Sequence, residues 1–215
     1  MTYYDVSMAI KPDIQVYKNK PEKRPVFIEA ATHDVAGVYE TLIHLNLHTG
    51  THMDFSLHMK KDGKTSTNFD FTRLIREVKV FDLTHVKDGI TKDDLIDFDI
   101  NPGDFVLLKT RNSYEDTFNF EFIFLAESGS TFLKDKKVVG VGIDALGVER
   151  NQKGYPTHNT LFDHDIIIIE GLRLKDVKEG NYHMIALPIK IEAVEALPLR
   201  VVLYDVRKNP ISNNQ

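Results

Sequence analysis

Short runs of apolar, mostly β-branched residues recur along the chain and constrain its fold more than any other feature. Each run has the length and composition of a β-strand. Several are continuous rather than alternating, as is typical of strands covered on both faces. The runs are VFIEAA (26–31), ETLIHLNLH (40–48), VKVFDL (78–83), DFVLLKT (104–110), VVGVGID (138–144), DIIIIEG (165–171), HMIALPIKI (183–191) and LRVVLYDV (199–206).

Predicted helices are few and short. ITKDDLIDF (90–98) has a threonine cap and an acidic first turn, which favour a helix N-terminus. AESGSTFLKD (126–135) is a second candidate, and TRLIRE (72–77) and residues 172–177 can each form a turn or two. Many strands with few helices indicate an α/β fold, with a mixed β-sheet or flattened β-barrel flanked by short helices, of the swivelling β/β/α type.

The domain organisation follows from length. A chain of 215 residues suits one domain, which we place at residues 1–207, with a frayed polar tail at 208–215. Two long loops, 9–25 and 145–160, are better explained by a functional site than by the needs of folding.

Composition excludes several classes of protein. The net charge is −5 and the basic residues are dispersed, which argues against nucleic acid or an anionic membrane as the main partner. The longest apolar run, DIIIIEG, is too short to cross a bilayer, and the N-terminus lacks the pattern of a signal peptide. Cysteine is absent, so a metal site must use imidazole and carboxylate. We therefore expect a soluble, cytoplasmic protein.

The segment HTGTHMDFSLH concentrates three of the nine histidines and an aspartate within residues 48–58. In the preceding run, alternation predicts a strand that ends with His48 on its polar face. The following Thr-Gly-Thr then turns the backbone and brings His48, His52 and Asp54 together.

Two imidazoles and one carboxylate suit zinc, manganese or iron(II), and they leave a coordination position open for water. His58 lies close enough to be a fourth ligand or a proton-transfer group. Five other histidines are not clustered with further candidate ligands, and we expect structural roles for them. These are His33, His44, His85, His164 and His183.

The segment resembles the H-x-G-T-H-x-D-x-P-x-H motif of the cyclase-like metal hydrolases, a family that includes bacterial kynurenine formamidases and isatin hydrolases. The resemblance runs the length of the chain. It includes the opening YYDVSM, the strand and loop VVGVGIDALGVE, the second metal-binding segment PTHNTLFDHDIIIIEGL, and the closing ALPIKI and PLR.

The resemblance implies two metal ions, zinc or alternatively manganese, in a homodimeric enzyme. His48, His52 and Asp54 would bind one ion, while His158 and Glu170 would complete a second site. Asp54 and Glu170 would be able to bridge the ions, and His58 would take the position of the family's proton shuttle.

Three departures from the family pattern bear on the substrate and the loops. Ser56 replaces the motif's proline, and EALPLR (195–200) lacks a glycine that precedes the final arginine in relatives. In the early loop IQVYKNK (14–20), Tyr17 stands where kynurenine formamidases place a tryptophan against the aromatic substrate. We expect Tyr17 to line the substrate pocket.

These observations predict a dinuclear metal hydrolase of an amide bond, most like an arylformamidase that converts N-formylkynurenine to kynurenine and formate. Opening of a cyclic amide or lactone would use the same residues and is the alternative activity. A metal-dependent binding protein without turnover is the alternative from another class, although a positioned His58 has no purpose in it.

Overall fold

A computed structural model describes residues 2–205. The strands are β1 (Tyr3–Asp5), β2 (Val26–Ala31), β3 (Glu40–His44), β4 (His52–Asp54), β5 (Ile75–Asp82), β6 (Gly89–Ile90), β7 (Phe105–Lys109), β8 (Phe124–Leu125), β9 (Gly140–Ile143), β10 (Ile167–Glu170), β11 (Gly180–Pro188) and β12 (Ala196–Tyr204). The α-helices are α1 (His33–Ala36), α2 (Glu127–Asp135) and α3 (Pro156–Asp163). The predicted tail at 208–215 lies outside the described residues.

The main sheet is mixed and closes on itself. Its order is β1-β12-β11-β5-β7-β9-β10-β4, and β4 also pairs with β12. Seven strands therefore form a closed barrel, while β1 adds to the outside of β12. The four central strands β5, β7, β9 and β10 are parallel, and the other pairs of this sheet are antiparallel. The predicted flattened barrel with short flanking helices is confirmed.

Alternation along the strands separates two hydrophobic clusters. One cluster takes residues from every barrel strand except β9 and fills the interior, with Met53 from β4 and Ile167 and Ile169 from β10. The other lies on the outer face, where Leu133 of α2 and Leu161 of α3 cover the parallel strands. Because successive side chains point to opposite faces, the neighbours of Met53 and Ile169 point towards the outer, helix-covered side.

Gly140 illustrates how tightly the barrel interior is filled. A Cβ atom on this residue of β9 would lie 2.1 Å from the ring of Phe105 on the adjacent strand β7. The glycine therefore makes room for the largest fully buried side chain of the interior.

The segment from β2 to β3 does not join the barrel. The two strands pair with each other as an antiparallel hairpin whose strand residues are almost all exposed. The predicted strand 40–48 therefore ends at His44, four residues early. Alternation correctly identified extended backbone, but it could not show that this strand pairs within an arm separate from the main sheet.

The helix predicted at residues 90–98 is wrong. Thr91 donates hydrogen bonds from its backbone N–H and its hydroxyl to the Asp94 carboxylate at 2.7 and 2.6 Å, and the following residues form turns. A short polar side chain that bonds its own backbone competes with helix formation. The helix predicted at 126–135 is confirmed as α2, with Ala126 as its N-cap.

Among the described residues, no helix is long and apolar enough to span a bilayer.

Candidate metal centre

Two neighbouring strands supply the centre of the site. β4 carries His52 and Asp54 on the face opposite Met53, and antiparallel pairing places Glu170 of β10 directly across from His52. His52 Nε2 lies 3.3 Å from Glu170 Oε2 and 3.4 Å from Asp54 Oδ1. All three side chains are buried, so three titratable groups converge where the barrel closes.

His48 joins this group from a turn rather than from the predicted strand end. Its Nδ1 lies 3.2 Å from His52 Nε2 and 3.1 Å from Asp54 Oδ1. Its Nε2 lies 3.4 Å from the carboxylate of Glu195, a residue that sequence reasoning did not single out. The convergence of the motif residues is therefore as expected, although the local backbone is different.

The Thr-Gly-Thr turn is locked to the rest of the fold. The Thr51 hydroxyl donates to the Gly171 carbonyl at 2.6 Å and accepts from the Met8 backbone N–H at 2.8 Å. Gly50 has a φ of 74°, which favours glycine, and a Cβ there would lie 2.7 Å from Ile10. These contacts hold His48 and His52 at a fixed spacing.

The His52 ring is oriented by the same turn. Its Nδ1 lies 3.0 Å from the Gly50 carbonyl, which can only accept, so Nδ1 carries the proton of this hydrogen bond. In the neutral ring, the lone pair of Nε2 is then directed towards Asp54 and Glu170. A backbone carbonyl that fixes the tautomer in this way is a common outer partner of metal-binding histidines.

His158 reaches the site from the first turn of α3, whereas the sequence suggested a loop. Its Nδ1 lies 2.7 Å from Glu149 Oε2, and its Nε2 lies 3.7 Å from Glu170 Oε1. Glu149 is buried and also accepts hydrogen bonds from the backbone N–H groups of Thr157 and His158. One carboxylate thus caps the helix and orients the imidazole.

Glu149 is the main residue that sequence reasoning missed. It stands in the quoted run VVGVGIDALGVE, but its spacing from His158 gave no sign that the two would meet. The signal available was a carboxylate seven residues before a Pro-Thr-His helix start, where the unpaired N–H groups of a helix favour acidic groups.

Glu170 links the two histidines. Burial alone would raise the pKa of this carboxyl group, but the bonds to His158 and His52 hold its pKa well below the usual value. Its Oε1 also accepts a 2.6 Å hydrogen bond from the Val148 backbone N–H. Glu170 is therefore a carboxylate with two imidazoles beside it, not a solvated residue at a strand end.

His58 lies on the open side of the cluster, in a 3₁₀ turn at Ser56–His58. Its ring centroid lies 4.2 Å from that of His48 and 6.0 Å from that of His158. Partial desolvation lowers the pKa of the exposed His58 below its usual value, although Asp54 opposes this. The structure therefore brings the fourth predicted histidine to the site.

The replacement of the motif's proline does not leave the His58 loop unsupported. The Ser56 hydroxyl accepts a 2.7 Å hydrogen bond from the Lys64 backbone N–H, and the Leu57 N–H donates to the Lys64 carbonyl at 3.0 Å. These bonds close the loop across residues 56–64 by a different means.

The donor set fits divalent cations. Both carboxylate oxygens of Asp54 are buried, and none of the residues in 2–205 gives either oxygen a hydrogen bond. A buried carboxylate in this condition is costly unless a cation compensates it. Asp54 belongs to two groups of three residues, and within each group the donor atoms lie no more than 4.8 Å from one another. The groups are His48–Asp54–His58 and His52–Asp54–Glu170. Neither group includes the five isolated histidines.

Protons compete with a cation for this site. Burial alone would lower the pKa of His52, but Asp54 and Glu170 outweigh it and raise the pKa to about 9. For His158, Glu149 and Glu170 likewise outweigh burial and raise the pKa to about 10. Both rings therefore hold protons that a metal must displace at neutral pH.

We predict that metal affinity rises with pH well above the free-histidine pKa of about 6.5. Raised histidine pKa values favour the protonated, metal-free form below pH 9, so the affinity should increase by about tenfold per pH unit for each proton displaced. Competition with a chelating dye from pH 6 to 9 measures this slope. Calorimetry in buffers of different ionisation enthalpy counts the protons released. A flat affinity would contradict histidine ligation.

A second prediction concerns Glu149→Gln. The amide keeps an oxygen for the helix N–H groups but loses the charge that holds the His158 ring. Outer-shell changes typically weaken metal binding by about 10–100-fold, so we expect a loss of that size under chelator challenge with an unchanged circular dichroism spectrum. Glu127→Gln, at an exposed position of α2, is the matched control. If the Glu149→Gln variant retains metal as well as the wild type does, Glu149 does not orient His158 for metal binding.

A cavity of about 660 Å³ opens in front of the cluster. The residues that line it include His48, His58, His158, Glu170 and Tyr17. This volume suits a small-molecule site, so the candidate ligands face a space that a substrate can enter.

A model of the Cyclase family matches residues 4–150, more than half of the chain. The chain belongs to the Cyclase family. Its relatives include a kynurenine formamidase from Salinibacter ruber, 29% identical over 95% of this chain and 98% of that one. A kynurenine formamidase from Bacillus cytotoxicus is 30% identical over 94% of this chain and 96% of that one.

Solved structures share the fold of this Cyclase-family chain. A potential metal-dependent hydrolase with cyclase activity is 52% identical, with a TM-score of 0.88 over 94% of this chain and 96% of that chain. A predicted metal-dependent hydrolase from Bacillus stearothermophilus is also 52% identical, with a TM-score of 0.86 over 94% and 97%. An isatin hydrolase bound to thioisatinate is 21% identical, with a TM-score of 0.81 over 94% and 91%, which shows the fold alone.

Proposed function

We propose that this protein is a metal-dependent hydrolase of a non-peptide C–N bond, most like an arylformamidase that converts N-formylkynurenine to kynurenine and formate. The observation that carries the proposal is the buried Asp54 carboxylate, which lies beside His48 and His52 and accepts no hydrogen bond from the described residues. His48 in turn lines the open cavity. The similarity to kynurenine formamidases over almost the whole chain supports the choice of reaction.

The proposed ligands form two overlapping sets. His48, His52 and Asp54 hold one cation, and His158 and Glu170 complete the binding of a second. Asp54 and Glu170 lie between the histidines of the two sets, which supports a shared role for these carboxylates. Five ligands are more than one open tetrahedral site needs. We propose two divalent ions, with zinc as the metal and manganese as the alternative.

Bound divalent ions supply Lewis acidity, which lowers the pKa of water and polarises a carbonyl oxygen. The protein's own residues do the rest. Gly50 and Glu149 aim the rings of His52 and His158, and the cavity holds the substrate amide against them. Hydrolysis adds the elements of water across the C–N bond, so the departing nitrogen needs a proton. His58, on the open side of the cluster, delivers it.

The proposed oligomer is a homodimer in which the second copy covers the β2–β3 hairpin. Exposed apolar patches of this kind usually mark interaction surfaces. Eight large apolar side chains of the hairpin are exposed: Val26, Phe27, Ile28, Val35, Val38, Tyr39, Leu42 and Ile43. Sedimentation of the wild type should give a dimer, and Ile28→Lys with Leu42→Lys should give a monomer. A monomeric wild type would contradict this assignment. A cytoplasmic location stays a prediction.

The experiment that tests the function combines metal analysis with turnover. Purified protein should contain divalent metal, hydrolyse N-formylkynurenine, lose activity on chelation and regain it when zinc or manganese is restored. Faster opening of isatin or a lactone than of any formamide would assign the alternative ring-opening activity. Stoichiometric metal without turnover of a broad panel of amides, esters and lactones would indicate a binding protein.

A further inference from the structure

The wall of the cavity formed by Tyr17 carries positive charge. Tyr17 is half-buried and packs edge-on against Phe118 and Phe122, with ring centroids 5.3 and 6.2 Å away. Its ring also lies close to Gly147, where a Cβ atom would approach Tyr17 Cε2 to 3.2 Å. The ring is therefore fixed from behind, and what lies over it faces the cavity.

Two lysines lie over this ring. Lys18 Nζ is 5.4 Å and Lys23 Nζ is 5.5 Å from the ring centroid, and both residues line the cavity. At these distances a cation is attracted by the negative face of an aromatic ring. Tyr17 thus gathers two ammonium groups at the cavity wall instead of presenting a bare aromatic surface.

The backbone supports this placement. The buried hydroxyl of Thr49 donates a 2.8 Å hydrogen bond to the Lys23 carbonyl, which joins the early loop to the segment that carries His48. Lys18 has a φ of 57°, a conformation that is uncommon for a residue with a side chain. Residues in such conformations are concentrated at functional sites.

The charges of these lysines are available to a ligand. Lys153 lines the same cavity, and within residues 2–205 no carboxylate forms an ion pair with Lys18, Lys23 or Lys153. The two acids that line the cavity, Glu149 and Glu170, are buried and bonded to histidine. In a protein of net charge −5, this rim is locally cationic.

We propose that Lys18 and Lys23, held over Tyr17, bind an anionic group of the substrate, so that the enzyme selects carboxylate-bearing aryl formamides over neutral ones. This inference rests on the proposed hydrolase function and names the substrate class of the same site. A lysine is a compact charge on a flexible stem, and it suits a carboxylate that approaches from solvent. Charged groups at the rim of a binding site increase selectivity and the association rate more than they increase affinity.

The test compares formanilide with its carboxylate-bearing counterpart, N-formylanthranilate. The wild type should prefer the carboxylate, and this preference should weaken with added salt. In Lys18→Gln with Lys23→Gln, the ratio of kcat/KM for the carboxylate to that for formanilide should fall by roughly tenfold, mainly through KM. Lys87→Gln, at an exposed position away from the cavity, should keep the wild-type ratio. An unchanged ratio in the double variant would overturn the inference.

A binding measurement separates this inference from the function on which it rests. If neither these formamides nor N-formylkynurenine is hydrolysed, the arylformamidase proposal fails. Calorimetric titration of metal-loaded protein with anthranilate and with aniline then still tests the lysines. Tighter binding of anthranilate that is lost in the double variant supports the inference. Equal affinity for the two ligands, or no effect of the variant, overturns it.

Discussion

Replacement of Asp54 by asparagine is expected to empty the metal centre and abolish turnover together. Asp54 is common to both groups of candidate ligands. Its Oδ1 faces imidazole nitrogens of His48 and His52, and neither of its oxygens accepts a hydrogen bond from the described residues. An asparagine has the same shape but lacks the charge, and its NH₂ group would point a donor at the cation. We expect the loss in metal affinity to exceed the roughly 10–100-fold typical of outer-shell changes.

The measurement is the metal content of the purified variant, followed by titration with zinc and an activity assay. Asp99→Asn is the matched control because that carboxylate is exposed and pairs with Lys79 at the surface. The control should retain wild-type metal content. An Asp54→Asn protein that keeps stoichiometric metal at both positions would show that Asp54 is not a ligand, and the proposed arrangement would have to be abandoned.

The fold was largely predictable because strand formation here is governed by local composition. All eight apolar runs overlap or contain strands of about the expected position, and continuous runs such as DIIIIEG became the parallel, doubly covered strands. The closure of the barrel could not be predicted from local sequence. It depends on β4, a strand of three residues whose pairing with β10 and β12 places two polar residues on the outer face.

The site was predictable to the extent that its residues are close in sequence or carried by the family resemblance. His48, His52, Asp54 and His58 fall within one short segment, and the structure brings them together with His158 and Glu170. Glu149 could not be found in this way, since its role depends on how α3 packs. The lysines over Tyr17 were also hidden, because charge at a cavity rim appears only once the loops are placed.

The second large effect is expected for His58→Ala, which should abolish most turnover while leaving the metal in place. General acid catalysis contributes about 10²–10⁴-fold, and loss of the proton donor should lower kcat by that amount. His58 is also placed to act as a metal ligand, because a donor atom of this residue lies within 4.8 Å of donor atoms of His48 and Asp54. A ligand role and a proton-transfer role therefore predict different metal contents for the same variant.

Substrates with different leaving groups provide an independent test of proton delivery by His58. An amide nitrogen must be protonated to depart, whereas the phenolate of p-nitrophenyl formate leaves without a proton. His58→Ala should therefore impair formanilide hydrolysis far more than hydrolysis of the ester, with His85→Ala, an exposed histidine, as the control. Equal losses on both substrates, with stoichiometric metal, would exclude proton delivery to the nitrogen. Loss of metal in the variant would instead make His58 a ligand, and the proton would have to come from another group.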